Sequence, residues 1–269
     1  MLLTVDVGNS QTVLATFDGD RRVDGWRVTT HARATADELH LLWRGLLRDT
    51  RVTGVAACST VPALLPALRQ LLDRLAVPVT LIGPGVRTGV PLHVDNPREV
   101  GADRVVTALA AHEFYGRRPD GTGRPVVVVD FGTSTNVDAI GPDGQFLGGA
   151  LAPGVEVSLD ALATRAAQLR SVELTCPPQA IGKNTVAALQ SGLVLGFAGL
   201  VDGLVSRIAA ELVASFGAAP LVVATGGLAP VIVDSCRTIA EREPDLTVHG
   251  LRLAFERQQG DRSSSARRP

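Results

Sequence analysis

Two copies of one short motif divide the chain into halves of similar length. An apolar strand runs into Asp6-Val7-Gly8-Asn9-Ser10, and a second apolar strand runs into Asp130-Phe131-Gly132-Thr133-Ser134. Each copy reads strand, Asp, any residue, Gly and two small polar residues. Such a turn suits a metal-bound phosphate, because the acid can hold Mg²⁺ and the Gly lets backbone N–H groups approach the phosphate oxygens. Two such turns facing one another would form a cleft for a nucleoside triphosphate.

The two halves also share the order of their elements. Apolar runs bounded by turn residues predict a three-strand meander at the start of each half, followed by alternating helices and strands. The meander strands are predicted at Leu2–Val7, Thr12–Phe17, Val23–Val28, Val126–Asp130, Thr135–Ile140 and Gln145–Leu151. We therefore predict an α/β fold of two duplicated domains, 1–117 and 118–257, each with a mixed sheet flanked by helices, and a disordered polar tail at 258–269. A chance repeat is the alternative, since Asp-x-Gly after a strand is common.

Composition excludes several classes of function. The net charge of −1 provides no basic field for nucleic acid or an anionic membrane. The three cysteines are far apart, which indicates buried thiols in a reducing compartment rather than disulfides or a zinc site. The most apolar helix, around Gly192–Val201, is interrupted by Asp202 and is predicted to be too short to span a bilayer. We expect a soluble, cytoplasmic protein with no nucleic-acid or membrane partner.

Six segments spread over nearly the whole chain carry a more specific pattern. They are Asp6–Ser10, Asn96–Arg104, Val129–Thr133, Gly148–Gly154, Gly182–Thr185 and Thr225–Ala229. Together they resemble the type III pantothenate kinase family, within the superfamily of actin, sugar kinases and heat-shock ATPases. The strings Gly101-Ala102-Asp103-Arg104 and Gly148-Gly149-Ala150-Leu151-Ala152-Pro153-Gly154 are highly specific in combination.

The resemblance implies a fold, a reaction and partners. It implies two actin-like (ribonuclease H-like) domains. It also implies ATP-dependent phosphorylation of pantothenate to 4′-phosphopantothenate, the first committed step toward coenzyme A. The family is homodimeric, with active sites completed at the subunit interface, and needs Mg²⁺ and K⁺ (or NH₄⁺).

Asp103 is the candidate general base. It lies at a predicted loop-to-helix junction beside Arg104, where a neighbouring cation favours the ionised carboxylate. A positioned base typically contributes about 10²–10⁴-fold to the rate. The residues alone leave a second interpretation open, in which Asp103 is a first-turn acid that only stabilises the helix dipole.

The resemblance assigns the other site residues. The expected pantothenate contacts are Gly101, Ala102, Asp103, Arg104 and Thr185. The expected ATP contacts are Asp6, Val7, Gly8, Asn9, Ser10, Gln11, Thr12, Val13 and Thr133. Asp6 is expected to hold Mg²⁺ through the phosphates, and Asp130 is expected to bind the monovalent cation.

Simpler interpretations stay open for several of these residues. Asp130 could be a buried acid that caps its turn, and Arg104 could pair with a neighbouring acid. Asn184 and Thr185 open a helix, so a plain N-cap is an alternative. Many family members carry a Tyr ahead of Asn96-Pro97, where this chain has Val94.

Two other functions compete with a pantothenate kinase. One is a non-enzymatic regulator on the same fold, and the other is a kinase for a different small alcohol. The helix face Gly203–Ala210 is apolar enough to be either core or interface.

Overall fold

The chain folds into two compact units, and each unit is built from segments that are separate in the sequence. The computed structural model describes residues 1–83, 85–165 and 172–265. The first unit comprises Met1–Val90, Asp95–Ala110 and the chain from Leu246 onward. The second unit comprises Pro91–Val94 and Ala111–Asp245.

A five-stranded mixed sheet forms the centre of the first unit, in the order β3-β2-β1-β4-β5. Antiparallel pairing joins β1, β2 and β3, while β4 and β5 extend the sheet in parallel from β1. The strands are β1 (Leu2–Val7), β2 (Gln11–Asp18), β3 (Arg21–Thr29), β4 (Gly54–Ser59) and β5 (Val79–Ile82).

The second unit repeats this topology strand for strand. Its sheet has the order β10-β9-β6-β7-β8, with an antiparallel meander and two strands added in parallel. The strands are β6 (Val126–Phe131), β7 (Ser134–Ile140), β8 (Phe146–Pro153), β9 (Leu221–Thr225) and β10 (Glu241–Arg242). The duplication and the meander predicted from the sequence are therefore confirmed.

Eight α-helices among the described residues cover these sheets. They are α1 (Ala36–Leu47), α2 (Leu65–Asp73), α3 (Ala102–Ala111), α4 (Val155–Arg165), α5 (Thr185–Gln190), α6 (Gly196–Phe216), α7 (Ala229–Ile232) and α8 (Leu246–Ser265). The predicted capping box begins α1: Thr35 accepts a hydrogen bond from the Glu38 N–H, and Glu38 accepts one from the Thr35 N–H. The helix predicted from Ser158 to Gln168 is α4, and residues 166–168 lie outside the described ranges.

The two faces of the first sheet carry different helices, because side chains alternate along each strand. Leu3, Val5 and Val7 of β1 face the cluster that includes α1 and α2. The other face of the sheet packs on α3 and α8, through Ala56 and Cys58 of β4. Burial of these two apolar layers is the main source of the unit's stability.

Helix α8 returns the end of the chain to the first unit, so the units differ from the predicted division after residue 117. Its residues Leu251 and Ala254 are fully buried among residues of β4 and α3. A Cβ at Gly250 would lie 1.9 Å from the Val106 carbonyl oxygen, so only glycine allows this approach of α8 to α3. Residues 258–265, within the predicted disordered tail, are helical, and residues 266–269 lie outside the described ranges.

The sequence predicts a helix from about Asn184 to Phe216, and the structure confirms it; this run is longer than the apolar stretch around Gly192–Val201 that was expected to be too short to span a bilayer. Helix α5, a π turn (Ser191–Leu195) and α6 form one run of 32 residues, Thr185–Phe216, which is long and apolar enough to cross a membrane by length and composition alone. One side of this run packs in the core of the second unit through Val201 and Val205. The charged residue within this helical run, Asp202, has hydrogen-bond partners: its carboxylate accepts hydrogen bonds from the backbone N–H groups of Arg237 and Thr238.

Candidate active site

The first Asp-x-Gly motif forms the turn between β1 and β2. The Gly8 N–H donates to the Gln11 carbonyl oxygen at 3.0 Å, and a Cβ at Gly8 would lie 2.9 Å from that oxygen. Asn9, Ser10 and Gln11 are exposed at the tip. The turn therefore presents short polar side chains and backbone groups at the carboxyl end of β1.

Strand alternation places Asp6 on the face of the sheet that carries α3. Val5 and Val7, its neighbours, point to the α1–α2 side. Cys58 is opposite Asp6 in the parallel pairing of β1 with β4, and its thiol donates to Asp6 Oδ1 at 3.3 Å. The carboxylate of Asp6 thus lies in the apolar layer beneath α3.

Asp103 lies in the first turn of α3, the helix on that same face. Its Oδ1 atom is buried and has no hydrogen-bond partner among the described residues. A Cβ at Gly101 would lie 2.4 Å from this oxygen, so a side chain at residue 101 would displace the carboxylate from its present position. An acceptor of this kind is suited to take a proton from a bound hydroxyl group.

Asp6 and Asp103 are close enough to influence each other's ionisation. The pKa of Asp6 is raised to about 7, chiefly by burial and next by the negative charge of Asp103, while the Cys58 hydrogen bond and the charge of Arg27 lower it. Burial also raises the pKa of Asp103, against the lowering effect of the Arg104 N–H and guanidinium. The fold therefore brings together two acids that the sequence analysis assigned to separate tasks.

The second motif builds a related turn in the second unit. Asp130 ends β6 beside the turn that follows β9, where Gly226 has a φ of +95°. A Cβ at Gly226 would lie 2.5 Å from both Asp130 Oδ1 and the Phe131 carbonyl oxygen. Two oxygens thus border the same small space, and the exposed Thr133 occupies the neighbouring β6–β7 turn.

Three of the predicted ATP contacts have side chains occupied elsewhere. Val7 is buried in the α1–α2 core, and Val13 packs with Phe17 on the opposite face. The Thr12 hydroxyl bonds to that of Thr30 at 2.8 Å. Any contact of Val7 or Val13 with a phosphate would therefore use backbone atoms.

Thr185 is exposed at the first residue of α5. The preceding Asn184 caps this helix, since its side-chain oxygen accepts from the Ala187 N–H at 2.9 Å. The simpler interpretation left open in the sequence is thus confirmed for Asn184, while a substrate contact from Thr185 stays a prediction.

Sequence reasoning missed two neighbours of Asp6. Cys58 was interpreted only as a small buried thiol, and Arg27 was not singled out. Arg27 belongs to β3, where its guanidinium donates to Gln11 Oε1 at 2.8 Å. The signal that could have found Cys58 is its place at the end of β4, level with Asp6 in the neighbouring parallel strand.

Comparison with known proteins identifies the family. The family model for type III pantothenate kinases matches residues 2–207. A type III pantothenate kinase of Frankia alni is 56% identical over 259 residues, covering 96% of this chain and 99% of that protein. The one from Salinispora arenicola is 56% identical over 261 residues, with 96% and 99% covered. The chain belongs to the type III pantothenate kinase family.

A solved structure supports the fold of this pantothenate kinase family member. The ROK hexokinase of Thermus thermophilus matches with a TM-score of 0.51 at 16% identity, covering 97% of this chain and 99% of the hexokinase. At that identity the match shows the fold alone. The predicted actin-like architecture is confirmed by this match and by the two equivalent sheets.

The raised pKa of Asp6 predicts a pH-dependent effect of Asp6→Asn on stability. The folded-state pKa of about 7 exceeds the ordinary 3.8, so folding favours the protonated carboxyl group of Asp6. Its contribution to the free energy of unfolding is therefore fully present below about pH 3.8 and is lost as pH rises toward 7. Asn is neutral throughout, so the variant's gain in thermal midpoint over the native protein should grow from about pH 4.5 to 7 and then level off. Thermal unfolding without metal or nucleotide measures this, with the exposed Asp18→Asn as control. A difference that is constant with pH would contradict the assignment.

Proposed function

We propose that this protein transfers the γ-phosphoryl group of ATP to the primary hydroxyl of pantothenate, giving 4′-phosphopantothenate in the cytoplasm. The family assignment supports the reaction. We assign the reaction to particular residues because Asp6 and Asp103 lie close together on one face of the first sheet.

Asp103 is the general base in this proposal. Its buried, unpartnered Oδ1 accepts the proton of the pantothenate hydroxyl as that oxygen forms a bond to the γ-phosphorus. The bond from the γ-phosphorus to the bridging oxygen breaks, and ADP leaves with the electron pair. The raised pKa of Asp103 strengthens it as a proton acceptor.

Gly101, Ala102 and Arg104 complete the proposed pantothenate contacts around Asp103. Thr185 is also a proposed pantothenate contact. The missing side chain at Gly101 gives a substrate hydroxyl access to the base. An Arg fork suits the pantothenate carboxylate.

The β1–β2 turn is the proposed triphosphate contact, with Asp6 as the acid toward Mg²⁺. Nothing in the described ranges groups three or more His, Cys, Asp or Glu side chains for a metal. This fits Mg²⁺, which commonly takes one or two carboxylates and completes its shell with water and substrate phosphates. When bound, the ion would neutralise phosphate charge, and it would offset the repulsion between Asp6 and Asp103.

Asp130 is the proposed ligand of a monovalent cation, K⁺ or NH₄⁺. Its Oδ1 and the Phe131 carbonyl oxygen border one space beside Gly226, and K⁺ is bound in proteins by oxygen ligands such as backbone carbonyls. A non-enzymatic regulator has no such requirement for a cation.

A coupled assay for ADP, with ATP, Mg²⁺ and pantothenate, tests the function and the Asp130 assignment together. We expect pantothenate-dependent turnover that K⁺ stimulates, and Asp130→Asn should lose most of that stimulation. Asp143→Asn, an exposed acid in the β7–β8 turn, is the matched control and should keep it. Pantothenate binding without turnover would favour a regulator, and faster turnover of another small alcohol in a substrate panel would favour a different kinase.

Removing the base should slow chemistry without removing nucleotide binding. We expect Asp103→Asn to lower kcat by about 10²–10⁴-fold, because the amide cannot accept the hydroxyl proton. Calorimetry should show ATP affinity within a few-fold of the native value. Asp95→Asn, an exposed acid in the preceding loop, serves as the control. A normal kcat in Asp103→Asn would remove Asp103 from the mechanism.

A homodimer is the proposed assembly, and α6 is its proposed contact. Four glycines lie along the π turn and α6: Gly192, Gly196, Gly199 and Gly203. Apart from the adjacent residues and the nearby backbone of the same helix, no described heavy atom lies within 4 Å of where their Cβ atoms would be. Such a flat face allows a second helix to approach closely.

Light scattering tests the dimer. The 28.1 kDa chain should give twice its mass in solution, and Gly199→Arg should shift it toward the single-chain mass because the long charged side chain blocks close approach. Gly45→Arg, on a glycine of α1 that is also open, is the control. A native protein with the mass of one chain would contradict the assembly.

A further inference from the structure

Cys58 is a buried reactive group that the proposed mechanism does not use. It is the last residue but one of β4 in the first sheet, and none of its surface is exposed. Its Sγ lies 3.3 Å from Asp6 Oδ1, with the thiol as donor. No other side-chain hydrogen bond to Asp6 occurs among the residues that the structure describes.

The surroundings of Cys58 keep its sulfur protonated. The side chain packs with Ala56, Val106 and Leu251 in the apolar layer between the sheet, α3 and α8. Burial raises the pKa of the thiol well above its ordinary value, and the nearby charges of Asp6 and Asp103 raise it further. The sulfur therefore donates a hydrogen bond and does not act as a thiolate.

The hydrogen bond distinguishes the two oxygens of Asp6. Oδ1 is held by the thiol against β4, so rotation about the Cα–Cβ bond would break this contact. Oδ2 then has a fixed direction. Groups that orient a metal-binding carboxylate commonly change metal affinity by about 10–100-fold when removed.

We propose that Cys58 is a positioning residue for phosphoryl transfer: its thiol fixes the Asp6 carboxylate so that Oδ2 faces the Mg²⁺-bound triphosphate. This inference rests on the proposed role of Asp6. It adds a third strand-end residue to the site, contributed by β4 rather than by either Asp-x-Gly turn.

Two substitutions separate the hydrogen bond from the packing. Cys58→Val fills the apolar space and has no donor, whereas Cys58→Ser keeps a donor in a smaller side chain. Calorimetric titration with ATP, in the presence of Mg²⁺ and with the metal chelated, measures the effect independently of turnover. We expect Cys58→Val to bind Mg²⁺-ATP about tenfold more weakly, with metal-free ATP changed less than twofold, and Cys58→Ser to stay within about threefold of the native protein for both.

Steady-state kinetics should also show an effect on Mg²⁺-ATP and none on pantothenate. Cys58→Val should raise the half-saturating Mg²⁺ concentration and the KM for ATP while leaving the KM for pantothenate unchanged. Cys236→Val is the matched control, because this half-buried thiol donates to the Ile232 carbonyl oxygen in the second unit. Cys58→Ala replaces the valine variant if thermal unfolding shows that valine is not tolerated.

The outcomes separate this inference from the role of Asp6. Native Mg²⁺-ATP affinity in Cys58→Val, with a clear loss in Asp6→Asn, would overturn the positioning role and leave Asp6 in place. Equal losses in the valine and serine variants would make Cys58 a packing residue only and would also overturn it. Native affinity in Asp6→Asn would show instead that the proposed role of Asp6 has failed.

Discussion

The cost of placing two like charges in one apolar layer governs the design of the first unit. Asp6 and Asp103 each favour protonation in this surrounding, and each makes ionisation of the other less favourable. The groups that offset that cost include the thiol of Cys58, the guanidinium of Arg27, and both the backbone N–H and the guanidinium of Arg104. Mg²⁺ and substrate would offset more of it when they bind. The protein thus holds two acids for which burial makes the ionised form unfavourable.

The two units share one sheet topology, but the acid of the Asp-x-Gly motif has different neighbours in each. Both sheets have the same strand order, and each central strand ends in Asp-x-Gly. In the first copy the next parallel strand places a thiol beside the acid. In the second copy the equivalent strand is followed by a left-handed glycine, which leaves the acid beside a carbonyl oxygen. The two acids therefore have different neighbours: a thiol donor lies beside Asp6, and a carbonyl oxygen lies beside Asp130.

The sequence predicted what depends on local patterns and missed what depends on packing across the chain. The meander strands and the capping box at Thr35 follow from spacing of apolar residues and from short-range hydrogen bonds, and both are confirmed. Asp103 was singled out through its local string, and its role as a base stays a prediction. Cys58 lies in no such string, because its contact with Asp6 arises only from the parallel register between β1 and β4. Helix α8 was missed because its second half, after Arg257, is polar like a solvated tail, although Leu251 and Ala254 anchor its first half at helical spacing.

The return of α8 to the first sheet has a consequence for the order in which the protein can form. The ribosome delivers β1 through α3, then the main stretch of the second unit, and only afterwards the helix α8, which packs with α3 on the remaining face of the first sheet. The second unit has its principal strands and helices in one stretch, so it can condense while the first sheet still exposes Ala56 and its neighbours. Closing so long a loop is slow, and its entropy cost is recovered only when α8 docks. The face that holds the two acids is therefore the last part of the molecule to be sealed.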